Sequence, residues 1–201
     1  RKIWFDETVQ RLNVDGRGEL LGEFRGEDKI LIVSQKGLLK TIPPELTTHF
    51  NDDMIVLEKW VPKKPLSAIY FDGKKEKYFA KRFLIENENK EECFISTNKG
   101  SFLELISTDW KPVFEIIFNK VRNKDQRPNE KIIFEDFISV KGIKAQGNQL
   151  TSHKVKQVNS LESIQYTPTI NIPVDEIEVV NDVEVVNKDD DSSTQTQTTL
   201  F

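Results

Sequence analysis

The feature of this sequence that most restricts its fold is a repeated hairpin unit. The unit consists of a short apolar strand, a polar turn that contains glycine, and a second strand. It occurs at residues 28–42, 68–79 and 93–106 and, more loosely, at 137–147. Asp-Gly and Asn-Lys-Gly in such turns supply the positive φ angles that tight hairpins require. The sequence therefore predicts an all-β fold built from successive hairpins.

The spacing of these units predicts how they assemble. Self-similar units tens of residues apart are typical of propeller-like and solenoid arrays, in which each unit buries its faces only against its neighbours. Residues 1–171 would accommodate about four blades of about 40 to 45 residues each. An ordinary β-sandwich with regularly spaced hairpins fits the same composition, so the pattern alone leaves both architectures open.

The charge divides the chain into two parts. The whole chain has a net charge of -4. Residues 1–171 hold 28 basic and 25 acidic residues, whereas residues 172–201 hold eight acidic residues and only one basic residue, Lys188. We therefore predict a mildly basic β domain over 1–171 and an acidic, mostly disordered tail over 172–201. The acidic and apolar residues that alternate over 174–186 leave an additional edge strand open as an alternative.

The residue types that most catalytic and metal sites need are scarce. Cys93 is the single cysteine, and the two histidines, His49 and His153, are far apart in the sequence. Neither a disulfide framework nor a zinc site is predicted from such a set. The chain contains no phosphate-binding loop, and the glycines of 16–22 lack the spacing of a dinucleotide-binding loop. We therefore expect no catalytic residue, metal or cofactor in this segment, and we expect Cys93 to face the core.

Membrane and export signals are missing from the sequence as well. No stretch approaches the roughly 20 apolar residues of a membrane helix, and no charged-then-apolar leader opens the chain. Arg1 stands where an initiator methionine would be, which indicates the end of a longer polypeptide. We expect a cytoplasmic, nucleoid-associated domain that has no membrane contact.

Basic residues cluster at the turns and second strands of the hairpin units. A single lysine is usually only a solvated surface residue, but turns that repeat in space also repeat their charges. A ring of blades would set positive charge at intervals around a rim, as expected of a protein that follows duplex DNA by its phosphates. The candidate DNA-binding residues are Lys36, Lys40, Lys74, Lys75, Lys77, Lys81, Arg82, Lys99, Lys120, Arg122, Lys124, Arg127, Lys141 and Lys144.

Several longer runs carry a family resemblance. Residues 135–151 with 153–158, and the opening residues 2–22, resemble the C-terminal domains of bacterial type IIA topoisomerase A subunits, which belong to topoisomerase IV and gyrase. Residues 58–73 and 108–113 are similar to the topoisomerase IV branch of Bacteroidetes-type bacteria. Together these runs cover most of residues 1–166.

The resemblance implies a fold and a function. Domains of this family form a β-pinwheel, a propeller-like disc whose blades exchange strands, and they bind and bend duplex DNA along a basic outer rim. Such a domain is not catalytic, since the family's catalytic tyrosine lies in a region outside this segment. Gyrase domains wrap DNA with a Gln-Arg-Arg-Gly-Gly-Lys-Gly box, of which residues 10–13 are only a poor approximation. The resemblance therefore favours a topoisomerase IV-like domain that presents DNA for decatenation or relaxation.

The resemblance also implies partners for the full-length subunit. These are duplex DNA, the rest of the A subunit and the ATPase B subunit in an A2B2 enzyme that uses ATP and Mg²⁺ through other regions. The competing interpretation, from another functional class, is a propeller that serves as a protein-protein scaffold without DNA binding. Steep salt dependence of duplex binding would favour the DNA-binding domain.

The last five residues carry a separate signal. Gln197, Leu200 and Phe201 resemble the Gln-Leu-x-Leu-Phe peptide by which bacterial replication proteins dock on the sliding clamp, although Thr198 replaces the first leucine. A large apolar pair at a chain end gains free energy only when a partner buries it. We therefore consider the sliding clamp a candidate partner, with a merely solubilising end as the alternative.

Overall fold

A computed structural model of the chain describes residues 1–166. The predicted boundary at residue 171 and the predicted acidic tail lie outside the described residues. Within residues 1–166, fourteen β-strands form four antiparallel sheets, accompanied by one four-residue helix. The prediction of an all-β fold is confirmed.

The four sheets, which we call A to D, follow one another along the chain. Sheet A contains β1 (Lys2–Asp6), β2 (Arg11–Asn13) and β3 (Glu19–Glu23), and sheet B contains β4 (Ile30–Ser34), β5 (Leu38–Ile42), β6 (Met54–Lys59) and β9 (Glu92–Cys93). Sheet C contains β7 (Leu66–Asp72), β8 (Lys77–Phe83), β10 (Phe102–Ser107) and β13 (Asn148–Gln149). Sheet D contains β11 (Val113–Phe118), β12 (Glu130–Ile133) and β14 (Val155–Leu161), and helix α1 (Phe134–Phe137) follows β12.

One three-strand unit is repeated in every sheet. A first strand pairs with the second strand on one side and with a third strand on the other, which gives the orders β2-β1-β3, β5-β4-β6, β8-β7-β10 and β12-β11-β14. The hairpins predicted at 28–42 and 68–79 are the first and second strands of sheets B and C. The repeat is therefore a unit of three strands, one more than the hairpin that its sequence pattern displays.

Short segments pass from one sheet to the preceding one. Strand β9 follows the hairpin of sheet C in the chain but pairs with β5 of sheet B, and β13 follows the hairpin of sheet D but pairs with β8 of sheet C. In sheet A, an isolated bridge joins His49 to Arg11 of β2. We call residues 49–50, 92–94 and 148–150 the exchanged segments, because each extends the sheet before its own.

Each exchanged segment ends in a buried apolar residue whose amide group bonds to the sheet that it enters. The amide of Phe50 donates to the Gln10 carbonyl at 3.0 Å, and the amide of Phe94 donates to the Gly37 carbonyl at 3.0 Å. The equivalent amide of Leu150 donates to the Tyr78 carbonyl at 2.8 Å. Phe50, Phe94 and Leu150 are all buried. The same contact is thus made at three successive places along the chain.

Three apolar cores lie between successive sheets, and each contains one of these residues. Phe50 belongs to the core between sheets A and B, Phe94 to that between B and C, and Leu150 to that between C and D. In β4, Ile30 and Ile32 face the first core, whereas Leu31 and Val33 face the second. Successive side chains of a strand point to opposite faces, so a sheet buried on both faces needs a continuous apolar strand.

The third strands of the sheets border a common cavity of about 1040 Å³. It is polar and mostly acidic, and its charged lining residues are Asp6, Glu7, Arg17, Glu19, Glu58 and Asp109. Thr108 and Ser160 extend the lining to the ends of β10 and β14. Residues of all four sheets therefore line this cavity, whereas no residue of a second strand lines it.

The two remaining predicted hairpins are wrong. Within 93–106, β9 and β10 belong to different sheets, and the turn between them packs on the β7–β8 turn, where the Asn98 amide donates to Asp72 at 3.0 Å. Residues 137–147 contain the end of α1 and an irregular path back to sheet C. One glycine that indicated a hairpin lies at a strand exchange instead. Gly147 (φ +89°) precedes β13, and a Cβ there would lie 2.1 Å from the Ala80 carbonyl oxygen.

The expectation that Cys93 faces the core is also wrong, because its thiol group is exposed. Its neighbours Glu92 and Phe94 are the buried residues of this segment. The alternation of a strand places residues 92 and 94 on the same side, so Phe94 occupies the core and Cys93 points away from it.

Candidate nucleic-acid interface

The turns between the first and second strands are basic in three of the four sheets. Sheet B carries Lys36 at this turn, sheet C carries Lys74 and Lys75, and sheet D carries four basic residues in the loop 119–129. The corresponding turn of sheet A, residues 7–10, has none. Because the four units share one strand order, these turns lie at the equivalent end of each sheet.

The turn of sheet C is built around a carboxylate. The Asp72 Oδ1 atom accepts hydrogen bonds from the amide groups of Lys74 at 2.9 Å and Lys75 at 3.1 Å and from the Asn98 side chain at 3.0 Å. Burial alone would raise the pKa of Asp72, but these hydrogen bonds together outweigh burial and lower the pKa. The carboxylate is therefore engaged within the turn, while Lys74 and Lys75 are exposed.

Two further predicted residues lie beside this turn. The Gly73 amide donates to the Ser101 hydroxyl at 2.9 Å, which joins the turn to the segment that carries exposed Lys99. Lys144 lines the same groove of about 260 Å³ as Lys75. The structure thus brings Lys74, Lys75, Lys99 and Lys144 to one corner of sheet C, which we call the sheet C corner. Within residues 1–166, none of these four lysines forms an ion pair.

The basic residues of sheet B lie in a more neutral setting. Lys36 and Lys40 line a groove of about 220 Å³ that also contains Asp53 and Glu91. The Lys36 ammonium group is 3.7 Å from the Asp53 carboxylate. These acidic groups offset the positive charge of the two lysines.

The loop 119–129 of sheet D carries a further basic cluster. Lys120, Arg122 and Lys124 are exposed, and the Arg127 guanidinium group lies 5.3 Å from the centre of the Phe118 ring. The eleven-residue length of 119–129 and its lack of strand pairing leave these side chains free to reach a ligand. Lys141 is exposed near β13, where its ammonium group donates to the Asn148 side chain at 3.3 Å.

Two of the predicted DNA-binding residues, Lys81 and Arg82, are buried and are therefore not exposed to a ligand. Lys81 is 4% exposed and its ammonium group donates to the carbonyls of Phe94 at 2.6 Å and Ile143 at 2.5 Å. Burial lowers the pKa of Lys81 to about 8. Arg82 is 6% exposed and donates to the Trp110 carbonyl at 2.7 Å. Both side chains satisfy main-chain oxygens between sheets and hold the fold together.

Sequence reasoning missed two residues that belong with the turn of sheet C. His153 and Lys154 line a groove of about 390 Å³ together with Lys77. Both residues follow the exchanged segment 148–150, and only that exchange brings them beside sheet C. No hairpin or turn pattern in the sequence indicates this proximity.

Two other kinds of feature are not found in the described part of the chain. Among residues 1–166, no three His, Cys, Asp or Glu side chains converge in a way that could hold a metal ion. No helix in this range is long and apolar enough to cross a membrane.

Comparison with protein families identifies the class of this domain. Residues 11–162 match the family described as "Topoisomerase C-terminal domain, Bacteroidota". The match spans well over half of the chain and includes strands of all four sheets, and the chain therefore belongs to this family of topoisomerase C-terminal domains. The resemblance inferred from the sequence is confirmed. Searches of curated proteins and of solved structures found no significant match.

Proposed function

We propose that this chain is the non-catalytic DNA-binding domain of a type IIA topoisomerase A subunit and that it binds duplex DNA through phosphates. The observation that carries the proposal is the sheet C corner, where four lysines lie at one turn and beside it and form no ion pair within residues 1–166. The exposed basic loop of sheet D would extend the contact. Lysines at turns contact phosphates without reading bases, so binding would be independent of sequence.

Family membership and the fold support the finer points of this proposal. The strand exchange between successive sheets and the cavity bordered by all four support a β-pinwheel. Residues 10–13 do not supply a gyrase-type box, which supports a topoisomerase IV-like domain that bends DNA without tight wrapping. In the full enzyme, the domain would work with the rest of the A subunit and an ATPase B subunit that uses ATP and Mg²⁺.

The test compares two pairs of adjacent lysines. In one variant, Lys74→Glu and Lys75→Glu reverse the charge of the sheet C corner. The control, Lys63→Glu with Lys64→Glu, makes the same charge change in the β6–β7 connection, at the opposite end of β7. Duplex affinity is measured by gel shift or fluorescence anisotropy between about 50 and 200 mM salt, where phosphate binding weakens steeply.

We expect the sheet C variant to bind less tightly and to lose about two units of the slope of log K against log salt. The control variant should keep the slope of the unchanged protein. Equal slopes for both variants would remove the sheet C corner from the interface. Absence of duplex binding by the unchanged protein at about 50 mM salt would contradict the proposal and favour a protein-protein scaffold.

A further inference from the structure

The groove of about 390 Å³ that borders sheets C and D combines aromatic and basic side chains. We call it the C–D cleft. Phe71, Lys77 and Tyr78 line it from sheet C, and the segment 151–155, which carries His153 and Lys154, lines it from the side of sheet D. Its volume lies within the range of about 300 to 1,000 Å³ that is usual for ligand sites. The cleft therefore has the size of a binding site.

Three aromatic side chains form a row across sheet C at this cleft. Phe71 of β7 is opposite Phe102 of β10 and Tyr78 of β8 in the strand register, so all three project from one face. The Phe71 and Phe102 rings stack with their centres 5.2 Å apart, and the Tyr78 ring meets Phe71 edge-on at 5.1 Å. Phe102 is 42% exposed, and the other two rings are only partly buried. The row therefore leaves aromatic surface open to solvent.

A fourth ring and two positive charges lie at the same cleft. His153 is exposed, and its ring meets that of the core residue Phe118 edge-on at 5.8 Å. Lys77 and Lys154 are exposed as well, and neither forms an ion pair within residues 1–166. The lining contains a single acidic residue, Glu76. The cleft thus carries net positive charge beside its aromatic rings.

Main-chain hydrogen bonds hold the segment 151–155 in place. The Leu150 amide, just before this segment, donates to the Tyr78 carbonyl of sheet C at 2.8 Å. The Asn119 amide, just after β11 of sheet D, donates to the Lys154 carbonyl at 2.9 Å. The aromatic and basic groups are therefore positioned before a ligand binds, which reduces the entropy that binding would cost.

We propose that the C–D cleft binds an unpaired nucleotide of single-stranded DNA, with the base against the aromatic rings and the phosphates beside Lys77 and Lys154. Every base has a face that can stack on an aromatic ring, and basic residues beside such rings follow the backbone of a single strand. In a duplex the bases are stacked on one another and cannot reach such rings. The site therefore differs from the duplex contact at the sheet C corner. That the strand is DNA and not RNA rests on the proposed function.

Affinity for a single-stranded thymine oligonucleotide, measured by fluorescence anisotropy, tests the proposal. The ring variant, Phe71→Leu with His153→Ala, removes two rings from the cleft. The control, Phe5→Leu with His49→Ala, makes the same two changes in sheet A, at a partly buried phenylalanine of its first strand and at an exposed histidine. We expect the ring variant to bind about tenfold more weakly, the loss typical of one stacked base, and the control to bind as the unchanged protein does. Duplex affinity should be the same in both variants.

An oligonucleotide of equal length that has the sugar-phosphate backbone but no bases separates stacking from charge. The ring variant should bind this strand as tightly as the unchanged protein does, because the rings have no base to contact. An equal loss of affinity for the two oligonucleotides would overturn the proposal. Equal affinities of the ring variant and its control for the thymine oligonucleotide would overturn it too.

A second variant, Lys77→Ser with Lys154→Ser, keeps the test decisive if the ring variant does not fold, because both side chains are exposed. The slope of log K against log salt for the thymine oligonucleotide should fall by about 1.4 units, since each phosphate contact of a single strand contributes about 0.7. Lys63→Ser with Lys64→Ser is the control and should keep the slope. An unchanged slope in the first variant would contradict the proposal. A protein that binds duplex DNA but no single strand would also overturn it, and would leave the proposed function standing.

Discussion

Replacing Phe94 with alanine tests whether the exchanged segments hold the sheets together. The Phe94 side chain is 1% exposed, and its ring centre lies 5.3 Å from that of Phe83 in the core between sheets B and C. Removing a buried phenyl group costs about 3 to 5 kcal/mol through lost burial and the cavity that remains. Domains are typically stable by about 5 to 15 kcal/mol, so this substitution would remove about a fifth or more of the free energy of unfolding.

Urea denaturation measures the effect. With an m-value of about 2 kcal/mol/M, a loss of about 4 kcal/mol lowers the midpoint by about 2 M. Trp60 lies in the same core and reports its loss by fluorescence, while circular dichroism reports all the sheets. The matched control is Phe102→Ala, because Phe102 is 42% exposed and should cost only about 1 kcal/mol. Similar losses of stability for the two substitutions would refute the idea that this exchanged segment holds sheets B and C together.

Three further predictions concern other parts of the chain. In urea denaturation, Gly147→Ala should destabilise the domain more than Gly16→Ala does. Both glycines have positive φ, but only a Cβ at 147 would lie 2.1 Å from a carbonyl oxygen. Equal losses of stability for the two substitutions would exclude this close approach. Burial lowers the pKa of Lys81 to about 8, so between about pH 8 and 10 the unfolded chain binds more protons than the folded chain. As the pH rises through this range, the free energy of unfolding should therefore increase, relative to that of Lys81→Met, by at most about 1.4 kcal/mol per pH unit. A parallel pH dependence of the two proteins would contradict this. A peptide ending at Leu200 and Phe201 should bind the sliding clamp of the same organism weakly in calorimetry, and binding that survives alanine at both positions would refute that docking.

The hairpins of the two central sheets, B and C, could be predicted because their strands and turns are adjacent in the sequence. The strands of sheets B and C are continuous apolar runs around tight turns, and such runs indicate strands buried on both faces. Sheets A and D were not predicted as units, since Gln10 provides the positive φ in the turn of sheet A and an eleven-residue loop separates β11 from β12. The exchanged segments contain too few residues to show any periodicity.

The exposure of the candidate basic residues was predicted only in so far as charge implies exposure. That rule places Lys74, Lys75 and Lys99 at the surface, but it fails for Lys81 and Arg82 in β8. Adjacent residues of a strand point to opposite faces, so one of the two would be exposed if sheet C had a solvent face. Sheet C is covered on both sides, and both side chains must therefore find carbonyl partners inside the protein.

The residues that pack the cores differ from the residues that form the turns, where the proposed DNA contact lies. The cores constrain the alternating strand residues, whereas the turns differ freely in charge, from no basic residue in sheet A to four in sheet D. Contact with phosphates would then be uneven and strongest along sheets C and D.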